Sequence, residues 1–231
     1  EIVNVLRKKR NARIIIDDTN YKKIKNLKFV KKDTGKQLSH NKFCVFDRNK
    51  VWTGSFNPTK HPSGISYDNV VVYASKYLAK NYLEEFEELW KGNFGGGKKV
   101  KHRFILINGK LVENYFCPED KCKENIIKNI KNAKQSIYFM VFSFTDTEIA
   151  DVLIAKSQEG IKVNGIVEKQ RVSLKGNVYL HLKKNGVNIR KNKIGKLHHK
   201  VFVIDNKTVI TGSYNPTKNG NERNDENIVI I

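Results

Sequence analysis

Short apolar runs recur along the chain, separated by longer stretches in which apolar positions fall three and four residues apart. The runs at 14–16, 43–46, 70–73, 136–144, 163–167, 201–204 and 228–231 predict strands. Val and Ile dominate them with little polar alternation, the pattern of a sheet covered on both faces. Between them, 76–90 carries Leu78, Tyr82, Leu83, Phe86 and Leu89 at helical spacing, and 124–133 reads as another helix. The stretch 104–112, with Asn108-Gly109 at its centre, predicts a hairpin. Gly95-Gly96-Gly97 is a natural linker, so the chain divides into 1–97 and 98–231, each of mixed α/β character.

The pattern also repeats. With His40 placed over His198, fourteen of thirty-two consecutive positions are identical at a constant offset of 158, without a gap. The shared residues are mostly polar or special: His40/His198, Lys42/Lys200, Asp47/Asp205, Gly54/Gly212, Ser55/Ser213 and Asn57/Asn215. Packing alone would preserve apolar identities, so this repeat carries chemistry. A looser likeness relates 1–6 to 148–153. Ahead of 148 the second copy has a helix and a strand without counterpart in the first, whereas the first continues past Asn69 into a strand and a helix. The chain therefore reads as lacking the first elements of one copy and the last helix of the other. Absence of the former would leave the first sheet short of an interior strand.

Each copy has the form His-x-Lys, four residues, Asp, six residues, Gly-Ser-x-Asn. Residues two apart on a strand share a face, so each His and Lys enter one site together. Phosphodiester displacement gathers charge on equatorial oxygens, which Lys42, Lys200, Asn57 and Asn215 are suited to hold. One neutral histidine can attack phosphorus while a second, protonated, donates to the leaving oxygen. A pseudo-twofold repeat supplies both at one interface. The lysines do the neutralising, so the chemistry calls for no metal or other cofactor.

The doubled motif, with an acidic residue and an Asn eleven residues beyond each motif Asn (Asp68-Asn69, Glu226-Asn227), resembles the phospholipase D superfamily. The resemblance implies two α/β/α halves with mixed sheets side by side and the active site between them. It implies a phosphohistidine intermediate with His40 as nucleophile and His198 as general acid. Lys42, Lys200, Ser55, Ser213, Asn57 and Asn215 then belong to the site, and Asp68 and Glu226 orient the opposite or adjacent histidine. Asp47, Asp205, Gly54 and Gly212 are read as structural. The family contains nucleases and lipid enzymes, so substrate must be argued separately.

Charge decides that argument here. Forty-four Lys and Arg against 23 Asp and Glu give +21, and both halves are basic. Such a field concentrates polyanions, nucleic acid first and anionic membrane surfaces second. Basic clusters precede each catalytic histidine: Lys28, Lys31, Lys32 and Lys36 in one copy, and Lys183, Lys184, Arg190, Lys191, Lys193 and Lys196 in the other. They suggest a groove for a nucleic-acid backbone, lined also by loops near 61–67 and 219–225, and no exposed apolar loop of the kind a lipid enzyme needs is evident. The expectation is a metal-independent nuclease, with a phospholipase or cardiolipin-type enzyme and a non-catalytic nucleic-acid-binding module as rivals. Two motifs in one chain make a monomer sufficient, so no protein partner is required.

The remaining candidates read more plainly. Cys117 and Cys122 could pair or help hold a metal, but two thiols in a reducing cytoplasm is the simpler reading, and no signal-peptide pattern opens the chain. Cys44 reads as a buried strand residue. His199 points away from His198 and reads as a spectator, and His61, His102 and His181 as surface residues. Asp17-Asp18 could be taken for half a metal site but has no further ligands in view. Phe56, Tyr67 and Tyr214 lie near the motifs and could stack bases or simply pack.

Overall fold

The computed structural model describes residues 2–9, 11–22, 24–59 and 65–231. In the first half the order is α1 (Ile2–Arg7), β1 (Ile14–Ile16), α2 (Asp18–Tyr21), β2 (Val30–Lys32), β3 (Phe43–Phe46), β4 (Lys50–Gly54), β5 (Ser66–Tyr67), β6 (Val70–Ala74) and α3 (Lys76–Trp90). The second half opens with the hairpin β7 (Phe104–Ile107) and β8 (Lys110–Cys117), then α4 (Cys122–Lys131), β9 (Ser136–Val141), α5 (Thr147–Gln158) and β10 (Lys162–Val167). It closes with α6 (Tyr179–Lys184), β11 (Asn188–Lys191), β12 (Lys196–Leu197), β13 (Lys200–Ile204), β14 (Thr208–Gly212), α7 (Lys218–Glu222) and β15 (Glu226–Ile230).

One mixed eight-stranded sheet, ordered β11-β10-β9-β13-β14-β15-β8-β7, forms the second half. Its inner strand residues Ile137, Phe139, Phe202, Ile204 and Ile228 share one apolar core with Ile126, Ile130, Ile149 and Leu153 of α4 and α5. The first half has a three-stranded sheet, β3-β4-β6, and a separate parallel pair, β1-β2. A second core joins the halves: Leu78, Ala79 and Tyr82 of α3 pack between Val51 of β4 and Ile105, Val112 and Phe116 of the β7–β8 hairpin. Burial of such side chains stabilises by roughly 1.5–3 kcal/mol each, so α3 is a principal bond between the halves.

The sheets differ from the sequence expectation in their exposed faces. On the outer face of the eight-stranded sheet, Tyr138, Met140, Asn164, Ile166 and Val203 border an open groove of about 360 Å³. In the first sheet, Phe46, Val70 and Val72 are exposed, and Cys44 beside them is exposed rather than buried. Val/Ile-rich runs mark strands well, but coverage depends on which helices lie against each face. The corresponding face of the second sheet is covered by α4 and α5.

The two copies also differ at an interior strand. In the second half β9 lies between β10 and β13. No strand among the described residues links β1 to β3, so β3 is an edge strand beside a cavity of about 1000 Å³ that Arg13, Val45 and Asp47 help to line. The motif aspartates differ accordingly. Asp205 accepts hydrogen bonds from the backbone N–H groups of Lys134, Gln135 and Ser136, at 2.8, 2.7 and 2.9 Å, and so fixes the entry into β9. Asp47 is exposed and has no such partner among the described residues.

Cys117 and Cys122 form a disulfide, which replaces the reading as two free thiols. The end of β8 and the start of α4 meet across the turn at 118–121, with a Cα–Cα separation of 5.7 Å that a bridge can span.

Replacing Asp205 with Ala should destabilise the protein by about 1–2 kcal/mol, the cost of losing a side-chain acceptor for several backbone donors. Asp47→Ala should stay within about 0.5 kcal/mol. Urea unfolding of both variants checks the asymmetry; equal effects would contradict it.

Candidate active site

The motif builds the same local structure twice. His40 and Lys42 lead into β3, and His198 and Lys200 lead into β13. Each lysine turns back so that its Nζ donates to the carbonyl of its own histidine, at 2.7 Å for Lys42 and 2.8 Å for Lys200. Gly54 and Gly212 end β4 and β14 with φ of 144° and 158°. A Cβ there would lie 2.3 Å from the Asn69 carbonyl oxygen in one copy and 2.1 Å from that of Asn227 in the other. Only glycine allows the close backbone approach that seats Ser55 and Ser213 against the following strand.

The halves exchange their acids. Glu226, from the second half, lies 2.8 Å from Nδ1 of His40 in the first. Asp68, from the first half, lies 2.7 Å from Nδ1 of His198 in the second. A carboxylate only accepts, so each histidine carries its proton on Nδ1, and Nε2 of His198 faces Lys200 Nζ at 3.2 Å. The serines hold the acids: Ser213 Oγ donates to Glu226 at 2.6 Å, and Ser55 Oγ to Asp68 at 3.2 Å, with Ser66 Oγ on the other Asp68 oxygen at 2.6 Å. Backbone bonds repeat the crossing, from His40 N to Asp225 O and from His198 N to Tyr67 O.

Electrostatics follow from burial. Desolvation, reinforced by the neighbouring lysines and opposed by Asp68, pushes the His198 imidazole down to about 4. Desolvation likewise lowers His40, against the pull of Glu226. Lys42 falls to about 8 through burial, and Lys200 falls well below the usual lysine range for the same reason and because Lys42 is near. Burial alone would raise Asp68, but hydrogen bonds from His198, Ser66 and Ser55 outweigh it and bring the carboxyl to about 2. Two buried lysines and the carboxylates of Asp68 and Glu226 therefore surround two imidazoles whose charged form burial disfavours.

The other candidates separate by location. Asn215 accepts from Ser143 N–H at 3.3 Å through Oδ1, leaving its amide N–H groups for a ligand, whereas Asn57 is half-buried without a side-chain partner among the described residues. Of the basic residues, Lys196 is close enough to lower Lys42 and Lys200. Lys31 instead donates to the Trp90 carbonyl and Lys32 pairs with Asp18, so neither is held in the site. Lys183 and Lys191 lie over Tyr179, while Lys28, Lys36, Lys184, Arg190 and Lys193 are exposed. Tyr214 is 2% exposed and bonded to Asn221, so it packs and does not present a stacking face. Asp17 caps the short helix α2 through Thr19 N.

His199 is no spectator: its Nδ1 meets Asn69 Oδ1 at 3.1 Å across the interface. Asn69 in turn donates to Thr211 at 2.6 Å, while Asn227 joins Asn41, Thr53 and Tyr82 of the first half. His102 is half-buried, its ring against Tyr77, and His181 is an exposed partner of Asp151. His61 lies outside the described residues. Phe142 also belongs here: it follows β9 and stands edge-on to the His198 ring, with centroids 4.8 Å apart. Its position at the end of an apolar run held no sequence signal for that role.

The site pairs two histidines, each with a buried lysine and a carboxylate from the other half, on a doubled α/β fold. The model for "Cardiolipin synthase, PLD-like domain" matches residues 2–90 and 126–231. The chain therefore belongs to the phospholipase D superfamily and is a phosphodiester hydrolase. A phospholipase D of Rickettsia felis is 34% identical over 136 residues, spanning 58% of this chain and 68% of that protein. The mitochondrial cardiolipin hydrolase of Mus musculus is 28% identical over 107 residues, covering 46% of this chain and 48% of that protein. Among solved structures, Nuc from Salmonella typhimurium, a phospholipase D family member, matches with TM-score 0.50 and 30% identity over 52% of this chain and 81% of that one. The phosphatidylserine synthase of Haemophilus influenzae matches with TM-score 0.61 at 12% identity, over 83% of this chain and 57% of that one, a likeness of fold.

Asp68→Asn and Glu226→Gln should each lower kcat by about 10²-fold or more, since an amide can donate as well as accept and no longer fixes its histidine's tautomer. Because Asp68 acts through His198, adding Asp68→Asn to His198→Ala should cost little further, as a double-mutant cycle will read. The ammonium of Lys42 is lost as pH rises through about 8. On that account kcat/KM should fall above about pH 8, and Lys42→Arg should move that limb upward.

Proposed function

We propose that the chain is a metal-independent nuclease. His40 attacks the phosphorus of a nucleic-acid backbone through Nε2, forming a P–N bond as the P–O bond to the leaving strand breaks. His198 gives its proton to the departing oxygen. His198 then takes a proton from water, which attacks the phosphohistidine and frees His40. Burial lowers both imidazoles and so disfavours their charged form, and His198 takes up a proton from solvent as the substrate arrives. The substrate's negative charge, arriving between Lys42 and Lys200, is what lets His198 hold the proton it must deliver. Asn57 and Asn215 donate to the phosphate oxygens.

The observation that supports nucleic acid is the basic approach to the site: among residues 183–200 seven are Lys or Arg and none is acidic, and Lys196 reaches the catalytic lysines. A second reading, a lipid phosphodiesterase, is supported by apolar side chains that the sequence did not reveal as exposed. Phe46, Phe56 and Val72 are 50%, 38% and 60% exposed, with Arg48 and Lys50 exposed nearby. An apolar surface with a basic rim suits an anionic bilayer.

Incubation with labelled DNA and RNA, single- and double-stranded, in excess EDTA distinguishes these readings when run beside cardiolipin and phosphatidylcholine vesicles. Nucleic-acid cleavage that persists in EDTA and disappears in His40→Ala and His198→Ala is the expected result. Cleavage of lipid alone would overturn the nuclease assignment, and binding of nucleic acid without cleavage by the unaltered chain would point to a non-catalytic module.

A further inference from the structure

Beyond the four catalytic groups, a single ring gathers an unusual set of cations. Phe142 is held by its backbone N–H, which donates to the His199 carbonyl at 3.0 Å. Its ring lies against His198 and is approached by three positive groups: Arg171 at 4.5 Å, Lys196 at 4.9 Å and Lys200 at 5.2 Å from the ring centroid. None of the three makes a close ion pair among the described residues, and only on Lys200 do Glu226 and Asp68 act from further off. The nearby acid, Glu168, is fully buried and accepts from the backbone N–H groups of Leu197 at 2.6 Å and Gln170 at 3.0 Å. Like charges gathered on one ring repel, and a ring's quadrupole offsets only about 0.5–2 kcal/mol of that. An anion would relieve the remainder.

Lys200 is accounted for by the reacting phosphate. Arg171 and Lys196 are one step further out, half-buried, on the His198 side of the site. Arg171 meets the site through the Phe142 ring and ends a short turn at Lys169–Arg171 whose first amide is tied to Asn192. A guanidinium fixed on an aromatic face still presents its N–H fork edge-on, the geometry that grips a phosphate in two places.

We propose that Arg171 and Lys196 form a second phosphate subsite, which holds the phosphodiester adjacent to the scissile one on the leaving-group side. The ligand class is a chain with two or more phosphodiesters, available either as a nucleic-acid strand or as a lipid bearing two of them. The proposal rests on the phosphodiesterase reading, not on the choice between those sources.

The test compares substrates with one and two phosphodiesters: thymidine dinucleotide against trinucleotide, and phosphatidylglycerol against cardiolipin vesicles. The unaltered chain should favour the two-phosphate member of at least one pair by about tenfold in kcat/KM. Arg171→Ala should abolish most of that preference through KM, and Arg171→Lys should restore part of it. On longer single strands Arg171→Ala should make the salt dependence shallower by about 0.7 in slope, one phosphate contact. A preference confined to the lipid pair would keep the subsite and remove the nuclease assignment. If neither pair shows a preference, or if Arg171→Ala lowers both members equally, the subsite is wrong, while cleavage itself would leave the proposed function standing.

Discussion

The crossed pairing of each histidine with the other half's carboxylate is the interaction on which the site depends. Neither half can hold its own imidazole in a fixed tautomer, because the oriented Nδ1 of His40 points at Glu226 and that of His198 at Asp68. Catalytic geometry is thereby made a property of the interface. The serines that follow Gly54 and Gly212 keep these acids in place, and each can reach its acid only because a glycine lets the two strands close up. A chain folded in one half alone would have the motif without the site.

Two further layers hold that interface in register. Tyr82 of α3, inside the shared core, places its hydroxyl on Asn227, and Asn227 also meets Asn41 and Thr53. On the other side Asn69 bridges to Thr211 and His199. These are neutral hydrogen bonds in a buried setting, where leaving one unmade costs about 1–3 kcal/mol. They specify one alignment of the halves where apolar packing alone would tolerate several. The buried lysines work in the opposite sense: they are held out of water at a cost, which the nearby carboxylates of Asp68 and Glu226 partly offset.

Strand and helix positions were largely legible, since β1, β3 and α3 follow directly from runs and helical spacing. The misjudged ends have tertiary causes. The run 136–144 stops being a strand after Val141 because Phe142 and Ser143 are recruited by His199 and Asn215. The strand at 228–231 begins earlier, at Glu226, where β8 supplies the pairing partner Cys117. Exposure of Cys44, Phe46 and Val72 could not be foreseen, for an apolar strand reads alike whether or not a helix covers it. The disulfide was open on sequence because spacing does not reveal whether two cysteines face each other across a turn.

By itself the sequence determined that two copies of one His-x-Lys, Asp, Gly-Ser-x-Asn motif are present, in mostly polar identities at a constant offset that packing alone does not call for. It named the histidines, lysines and acids without saying which acid serves which histidine. Tertiary structure decided that assignment, together with the contacts of His199, Asn69, Phe142 and Arg171. The reason is physical: these are contacts between residues far apart in the chain, and local spacing encodes a side chain's direction but not what the other half brings to meet it.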